Sequence, residues 1–388
     1  NFLDMANKTV YITGCFGFIG SYITRACLEK GWHVYGVDKM TYASFDDAYN
    51  EFIEHPRFTF EQSDINDLEF LHECDYIINT AAETHVGNSI VKSEDFVHSN
   101  INGVHNLLEL IKNYRAEGPK KPILLHFSTD EVYGDITEGE HIETDILKPS
   151  NPYSATKAAA DQLITAWSRT YDLPYVIIRP TNNYGIGQYV EKLIPKSVKY
   201  LTLGNITINF ISGTPIRNWL HAYDTAEAVI TIIESGVKNE IYNICGGYEQ
   251  TNLDTVSKII KLYYPEDTVL EETFPLYNDS INQYLDLSYS RQGQDVRYAL
   301  NDNKLRALGW EPVTIGSANS HIFDSINNLG YTKIINVHHE QAGVMAMGAY
   351  WRASGKLSAT IVTAGAGASN AITGIVSNWA DSIPGIII

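Results

Sequence analysis

The feature that most constrains this chain is a glycine turn, Gly14-Cys15-Phe16-Gly17-Phe18-Ile19-Gly20, set between a β-branched run (Thr9–Thr13) and a helical pattern (Phe18–Lys30). A side chain at the first glycine would block a tight strand-to-helix turn. One at the second would meet a pyrophosphate, and the third glycine lets the helix lie close to the sheet, so that phosphates reach the helix N-terminus. The glycine spacing alone is a weak signal; its place between strand and helix gives it weight. Asp38 ends the second β-branched run, where its carboxylate can accept hydrogen bonds from both ribose hydroxyls of an adenosine and would repel a 2′-phosphate. Lys39 is the adjoining cation, and no arginine stands beside Asp38 to pair with such a phosphate, which favours NAD over NADP. Gly14, Gly17, Phe18, Ile19, Gly20, Asp38 and Lys39 are therefore candidate cofactor residues.

Further short runs, Thr59–Gln62, Tyr76–Asn79, Ile123–Phe127 and Tyr175–Ile178, alternate with amphipathic helical patterns at Glu94–Tyr114 and Tyr153–Tyr171. That alternation predicts an α/β fold, a doubly wound parallel sheet of the Rossmann type. Asp64-Ile65 and Ala81-Ala82 fall at the carboxyl ends of strands, where ligands of open α/β sheets bind. After Arg179-Pro180 the alternation weakens, and near Ile315 a Gly/Ala/Ser-rich composition begins. The expected organisation is a dinucleotide domain (1–180), a substrate lobe interleaved with it (181–315) and a partial second α/β domain (316–388). A net charge of −18 disfavours nucleic-acid or anionic-membrane binding, so phosphate needs a local site. The cysteines, Cys15, Cys27, Cys74 and Cys245, have no CxxC spacing, which fits a reducing, cytoplasmic setting; no metal is expected. The uncharged stretch Leu357–Ala380 carries too many Ser, Thr and Asn side chains for a membrane span and suits a buried helix and strand.

Tyr153 and Lys157 stand four apart in Tyr-Ser-Ala-Thr-Lys, so a helix projects both from one face. Bringing a phenol from about 10 to near 7 takes roughly 4 kcal/mol, which a fixed ammonium and a cationic nicotinamide ring together can supply. Without the glycine turn the pair would read as an ordinary surface i,i+4 contact. Ser128-Thr129-Asp130-Glu131-Val132-Tyr133-Gly134 follows directly on the apolar run Ile123–Phe127. Two adjacent carboxylates at the mouth of an apolar sheet tend to hold their pKa values apart, which suits one as acid and the other as base.

Gly14–Gly20, Ser128–Gly134, Tyr153–Lys157, Arg179-Pro180-Thr181-Asn182-Asn183-Tyr184-Gly185 and Glu191-Lys192-Leu193-Ile194-Pro195 resemble the dTDP-glucose 4,6-dehydratases in order and spacing, over roughly Asn7 to Pro312. The resemblance implies an NAD-dependent lyase of the extended short-chain dehydrogenase type. In it Tyr153 takes the sugar 4-hydroxyl proton with Thr129 bonded to the same oxygen, Glu131 removes the C5 proton, and Asp130 protonates the departing 6-hydroxyl. It also implies a cofactor contact at Asn182, sugar or diphosphate contacts at Thr84, Asn183 and Lys192, phosphate neutralisation by Arg217 and Arg291, and a homodimer through the two long helices. The chain departs from that family at Arg291-Gln292-Gly293-Gln294, at Asn88 and at Asn218, which leaves thymidine or uridine open as the nucleotide.

Val337-His338-His339-Glu340-Gln341-Ala342-Gly343, Thr363–Asn370 and Asp381-Ser382-Ile383-Pro384 resemble another family, the pyrimidine-binding domain of thiamine diphosphate enzymes of the acetolactate synthase type. There the residue matching Glu340 would bond the aminopyrimidine. That family's opening strand and glycine turn would fall between Leu329 and Ile334, where only a few residues stand, and its diphosphate domain would come after Ile388, so this segment alone is not expected to bind the cofactor. The alternatives are a nucleotide-sugar epimerase or decarboxylase of the same fold, a fusion with a thiamine-dependent two-carbon transferase, or a non-catalytic NAD-binding scaffold.

Overall fold

The computed structural model describes residues 8–114, 121–202, 213–263, 295–312, 340–354, 358–360, 375, 378 and 386–387. The chain divides into two compact units, Asn1–Trp310 and Glu311–Ile388. In the first, β1 (Thr9–Thr13), α1 (Phe18–Glu29), β2 (His33–Asp38), α2 (Asp46–Phe52), β3 (Phe58–Gln62) and β4 (Tyr76–Asn79) are followed by the helical segments α3 (Val86–Val91), α4 (Glu94–Val97) and α5 (Gly103–Lys112). Then come β5 (Ile123–Phe127), α6 (Pro152–Tyr171), β6 (Tyr175–Pro180), β7 (Asn182–Tyr184), α7 (Leu193–Thr202), β8 (Ile216–His221), α8 (Ala222–Ser235), β9 (Glu240–Ile244), β10 (Glu249–Thr251) and α9 (Asn252–Tyr263).

Seven strands form one parallel sheet in the order β3-β2-β1-β4-β5-β6-β9. Its central strands are apolar on both faces because helices cover both. Alternate residues feed opposite cores: Ile12, Ile78, Leu125 and Ile178 pack with Phe16 and Ile23 on one side, while Tyr11, Ile77, Leu124 and Ile177 pack with Leu107 and Ile164 on the other. Each such buried side chain contributes about 1.5–3 kcal/mol of transfer free energy. Strand order reverses between β1 and β4, so the carboxyl ends of those strands flank the crevice that open α/β sheets use for ligands. A smaller sheet, β10-β8-β7, stands apart from the large one.

One feature departs from the sequence reading. The helix expected over Glu94–Tyr114 is interrupted by a π turn at His98–Asn102. The fully buried Asn100 explains it: its side chain accepts from the Glu83 amide at 2.9 Å and donates to the Glu83 carbonyl and to Thr156 Oγ1, each at 3.0 Å. Satisfying those buried groups outweighs regular helix spacing, a pattern frequent at functional sites. From the segment read as an interleaved lobe, β9 pairs with β6 in the large sheet, and Ala226, Val229 and Ile233 of α8 enter the core that holds Ile23.

In the second unit a helix spans Glu340–Ser354, and Ala359–Thr360 pairs in parallel with Ile386–Ile387. Asn378 Nδ2 donates to the Val344 carbonyl at 2.8 Å, and a Cβ on Gly348 would meet Asn378, so helix and residue 378 are closely opposed. The glycine-containing motif Thr363–Asn370, the motif Asp381–Pro384, the side chain of Glu340, most of Leu357–Ala380 and Arg291 lie outside the described residues. Among the described residues no helix is long and apolar enough to cross a membrane.

Candidate active site

The glycine turn is built to close tolerance. Gly14 has φ +71°, and a Cβ there would lie 2.8 Å from the Ala81 amide nitrogen; a Cβ on Gly20 would lie 2.0 Å from the Gly14 carbonyl oxygen. Gly17 differs, since its Cβ would meet only that same carbonyl, at 3.2 Å. The protein itself therefore requires glycine at 14 and 20, whereas the open side of Gly17 faces the crevice it lines. Gly17 also caps α1 without a side-chain hydrogen bond, which leaves the first-turn amides, those of Phe18 and Ile19 among them, available to an anion. These features fit a dinucleotide.

The crevice has about 760 Å³ of empty volume including its open mouth, and Asp38, Lys39, Asp64, Ile65, Ala81, Ala82 and Thr84 all line it. Asp38 accepts from the Phe16 amide at 3.1 Å, the Met40 amide at 2.8 Å and Ser44 Oγ at 3.3 Å. A carboxylate has about four acceptor positions, so one remains for a ribose hydroxyl. Lys39 turns across the crevice, with Nζ 3.2 Å from Glu83 Oε1, 3.4 Å from Ser99 Oγ and 3.8 Å from Asp64. Its charge is thus spent on carboxylates rather than held for a 2′-phosphate. Burial raises the Asp64 carboxyl, but hydrogen bonds from Asn66, then Lys39 and His98, hold it below its usual range.

At the carboxyl end of β5 the chain enters a single 3₁₀ turn, Asp130–Tyr133, whose preceding residue Thr129 accepts from the Glu131 amide at 3.3 Å. The two carboxyl groups meet opposite surroundings. Asp130 is 3% exposed; one oxygen accepts from Thr129 Oγ1 at 3.1 Å and the other has no partner among the described residues. Burial first, and then the charge of Glu131, push Asp130 up to about 7, against smaller opposing effects of Thr129, Arg217 and Thr181. Glu131 Oε2 instead accepts from Asn151 Nδ2 at 3.3 Å and from the Tyr298 hydroxyl at 3.4 Å. The proton is placed on Asp130 by environment, not by residue type.

The helix that carries the phenol and the ammonium starts on a full cap. Asn151 Oδ1 accepts from the Ser154 amide at 2.9 Å, Ser154 Oγ accepts from the Asn151 amide at 3.2 Å, and Pro152 occupies the first turn. The cap fixes Tyr153, which packs with Val86 and Phe96. Burial and then Glu131 and Asp130 drive its phenol well above the ordinary range, opposed by a hydrogen bond with Thr129. Lys157 is 3% exposed and brought down to about 8 by burial, with Asp161 acting the other way. Among the described residues no hydrogen bond joins Lys157 to Tyr153; its charge acts on Asp161 and His126.

Thr129, Asp130, Glu131 and Tyr153 are thus brought together, with Arg217 acting on Asp130 from β8. The Arg217 guanidinium lies 4.5 Å over the Tyr298 ring and donates to the carbonyls of Ile216, Val296 and Asp295. Lys192 Nζ donates to the Thr84 carbonyl at 3.0 Å and to Thr84 Oγ1 at 3.2 Å, so these two candidates adjoin. Asn182 sits on β7 opposite Trp219. Asn183 is buried with both ends of its amide used internally, by the Thr181 carbonyl at 2.9 Å and Thr225 Oγ1 at 2.6 Å. Sequence reasoning missed Asn151, Tyr298 and Asp295; Tyr298 donates to Asp295 at 2.6 Å, and Ser150 donates to Asp295 at 2.5 Å. An Asn-Pro pair opening a helix is a legible cap signal, but nothing local marks Tyr298 as a neighbour of Glu131.

Residues 11–316 match the family model described as GDP-mannose 4,6 dehydratase, and residues 306–388 match that of the N-terminal TPP binding domain of thiamine pyrophosphate enzymes. The chain is 40% identical over 320 residues to a dTDP-glucose 4,6-dehydratase of Haemophilus influenzae, covering 78% of this chain and 93% of that protein. A dTDP-glucose 4,6-dehydratase of Streptomyces venezuelae, solved with NAD and TYD bound, superposes with a TM-score of 0.70 at 30% identity, over 84% of this chain and 99% of that one. The Bacillus anthracis enzyme in complex with NAD gives 0.69 at 31%, over 83% and 98%.

Proposed function

This chain belongs to the GDP-mannose 4,6 dehydratase family, and we propose that it is an NAD-dependent nucleotide-sugar 4,6-dehydratase acting on dTDP-glucose or UDP-glucose. The observation that carries the reading is the split between two neighbouring carboxyl groups, Asp130 dry and brought to about 7, Glu131 held by Asn151 and Tyr298. An epimerase needs no such acid and base pair; loss of water across C5 and C6 needs both.

Gly14, Gly17 and Gly20 with the first-turn amides would hold the pyrophosphate of NAD, Asp38 the adenosine ribose, and Asp64, Ile65, Ala81 and Ala82 the adenine side, with Asn182 a further contact. When bound, NAD would supply the hydride chemistry, as acceptor from sugar C4 and donor to C6. Tyr153 takes the 4-hydroxyl proton, and the Lys157 ammonium lowers the cost of the phenolate. Thr129 holds the same oxygen; its hydroxyl already links Tyr153 and Asp130, so base and acid share one hydrogen-bonded residue. Glu131 takes the C5 proton, acidified by the 4-ketone. Asp130, still protonated near neutral pH, gives its proton to the 6-hydroxyl, which leaves as water.

Lys192, Thr84 and Asn183 would meet the sugar or diphosphate, while Arg217 and Arg291 would balance the phosphates. The domain division 1–180, 181–315 and 316–388, a homodimer through α5 and α6, and a cytoplasmic setting belong to the same proposal. All four cysteines are buried and unpaired, as a reducing compartment favours.

Incubation with dTDP-glucose and UDP-glucose in parallel, followed by mass spectrometry and the absorbance of the 4-keto product in alkali, tests the reaction. Loss of one water with either nucleotide supports it; an isomer of unchanged mass would make the enzyme an epimerase. A second reading follows from the thiamine-enzyme match at 306–388: in a longer fusion, a thiamine-dependent partner domain would add a two-carbon unit to the 4-ketone. Pyruvate, thiamine diphosphate and nucleotide sugar giving no mass gain beyond dehydration would dispose of that second reading.

A further inference from the structure

Asp295 is a buried carboxyl group that the dehydration steps leave without a task, and it reaches the surroundings of Glu131 from two sides. It is 5% exposed, and each of its oxygens accepts from a hydroxyl: Oδ1 from Ser150 Oγ at 2.5 Å and Oδ2 from the Tyr298 hydroxyl at 2.6 Å. Hydroxyl donors this close to both oxygens are the pattern of charge-assisted bonds to a carboxylate. The two hydroxyls lead to one atom. Tyr298 lies 3.4 Å from Glu131 Oε2, and Ser150 adjoins Asn151, whose Nδ2 donates to that same oxygen at 3.3 Å. Both groups that hold Glu131 are therefore tied to a single carboxylate far along the chain.

We propose that Asp295 is a positioning residue for C5 proton abstraction: it fixes the Tyr298 hydroxyl, and with it Glu131 Oε2, while keeping the phenol hydrogen from being committed to Glu131. This rests on the reading of Glu131 as the C5 base.

Hydrogen counting explains why a carboxylate serves here. A phenol has one hydrogen, and Tyr298 presents its oxygen to two carboxyl groups, Asp295 at 2.6 Å and Glu131 at 3.4 Å. A donor committed wholly to Glu131 would favour its ionised form and oppose the uptake of a proton. With Asp295 as the closer competitor, Tyr298 orients Glu131 without quenching it. When the C5–H bond breaks, the proton forms an O–H bond on Glu131 and the electron pair stays on the sugar, conjugated with the 4-ketone. Neutral Glu131 is then the weaker acceptor, and the phenol hydrogen passes to Asp295 instead of being left unpaired in a dry interior.

The backbone on which Asp295 and Tyr298 stand is held independently of these bonds. Asp135 Oδ1 accepts from the Val296 amide at 3.0 Å and the Arg297 amide at 2.8 Å, and the Ile216 amide of β8 donates to the Val296 carbonyl at 2.7 Å. Arg297 Nη2 lies 3.0 Å from Glu249 Oε1 on β10, and Arg217 Nη2 donates to the Asp295 carbonyl at 3.0 Å. A change confined to the Asp295 side chain therefore acts on its two hydroxyl partners and not on the path of the chain.

Single-turnover kinetics of the full-length, NAD-loaded enzyme with nucleotide sugar separate the two steps: the absorbance of reduced nicotinamide reports C4 oxidation, and deuterium uptake from solvent reports C5 exchange. Asp295→Asn, which keeps the shape and removes the charge, is expected to leave C4 oxidation within about twofold of wild type and to slow C5 exchange roughly tenfold, so that reduced nicotinamide accumulates. Because the effect passes through Tyr298, the double variant Asp295→Asn/Tyr298→Phe should exchange within about twofold of Tyr298→Phe alone. Equal slowing of both steps in Asp295→Asn overturns the proposal, as do losses that multiply in the double variant. If Asp295→Asn does not fold, as judged by melting temperature, Ser150→Ala decides: selective slowing of C5 exchange supports the proposal, and unaltered exchange or equal slowing of both steps overturns it. Failure of the underlying reading shows elsewhere, as a wild-type product of unchanged mass or as undiminished C5 exchange in Glu131→Gln, and takes away the base that Asp295 serves.

Discussion

Asp130 offers a measurement in which stability reports on mechanism. Its carboxyl is brought to about 7 in the fold, against 3.8 for the free group, because it is buried beside Glu131 with one oxygen unpaired. A carboxyl whose folded value is raised costs nothing below the unfolded value, where both states are protonated. As pH rises from about 4 the unfolded chain ionises and the folded one does not, so stability declines until the folded group also ionises near 7, and then levels. The gap of about three pH units corresponds to about 4 kcal/mol, undiscounted for solvent since the group is almost wholly buried. In Asp130→Asn this slope is absent. The new amide adds an unpaired N–H that costs about 1–3 kcal/mol, but that cost is independent of pH. Urea unfolding of nucleotide-free wild type and variant from pH 4.5 to 8.5 isolates the effect: their difference in unfolding free energy is expected to drift by several kcal/mol in the variant's favour with rising pH. A flat difference would show that Asp130 ionises freely in the fold, and its role as the proton donor would fall with it.

Three further outcomes follow from the same geometry. Gly20→Ala forces a Cβ to within 2.0 Å of the Gly14 carbonyl and should cost about 1–3 kcal/mol or more of stability, read as a lower melting temperature, whereas Gly17→Ala, whose Cβ comes only to 3.2 Å from that carbonyl, should lose much less of its melting temperature yet purify without NAD; NAD retained by Gly17→Ala would remove the pyrophosphate from that face. Glu131→Gln should accumulate reduced nicotinamide on mixing with substrate and lose exchange of the C5 proton with solvent, measured by deuterium incorporation; unchanged exchange would take Glu131 out of the mechanism. Tyr298→Phe, which removes the hydroxyl shared by Asp295 and Glu131, should slow C5 exchange more than C4 oxidation in single-turnover kinetics, and equal slowing of both would make Tyr298 a packing residue only.

The parts of this site that are legible in the sequence are those set by short-range geometry. Gly14 and Gly20 are required by contacts within a single strand-turn-helix unit and with the adjoining β4 loop, so their spacing announces them. The same holds for Tyr153 and Lys157, placed on one face by helix spacing. What the sequence does not display depends on residues far along the chain. Asn100 reads as one polar residue in an amphipathic helix, and only the loop at Glu83 and the side chain of Thr156 reveal why the helix opens into a π turn there. Asn183, in a motif rich in polar side chains, reads as a ligand contact, and only Thr181 and Thr225 reveal that one donor and one acceptor of its amide are taken within the fold.

The division of labour between Asp130 and Glu131 shows why such information is inaccessible locally. Either residue type can serve as acid or base, and they are neighbours in one 3₁₀ turn. What separates them is that Glu131 receives donors from Asn151 and from Tyr298, which is 167 residues distant, while one oxygen of Asp130 receives none among the described residues. The negative charge of Glu131 is the second-largest influence raising Asp130, after burial. The acid is therefore made partly by the base beside it. Glu131→Gln, which removes that charge, should lower the pH at which Asp130 ionises as well as abolish proton abstraction, so mutation of the base alone also alters the acid.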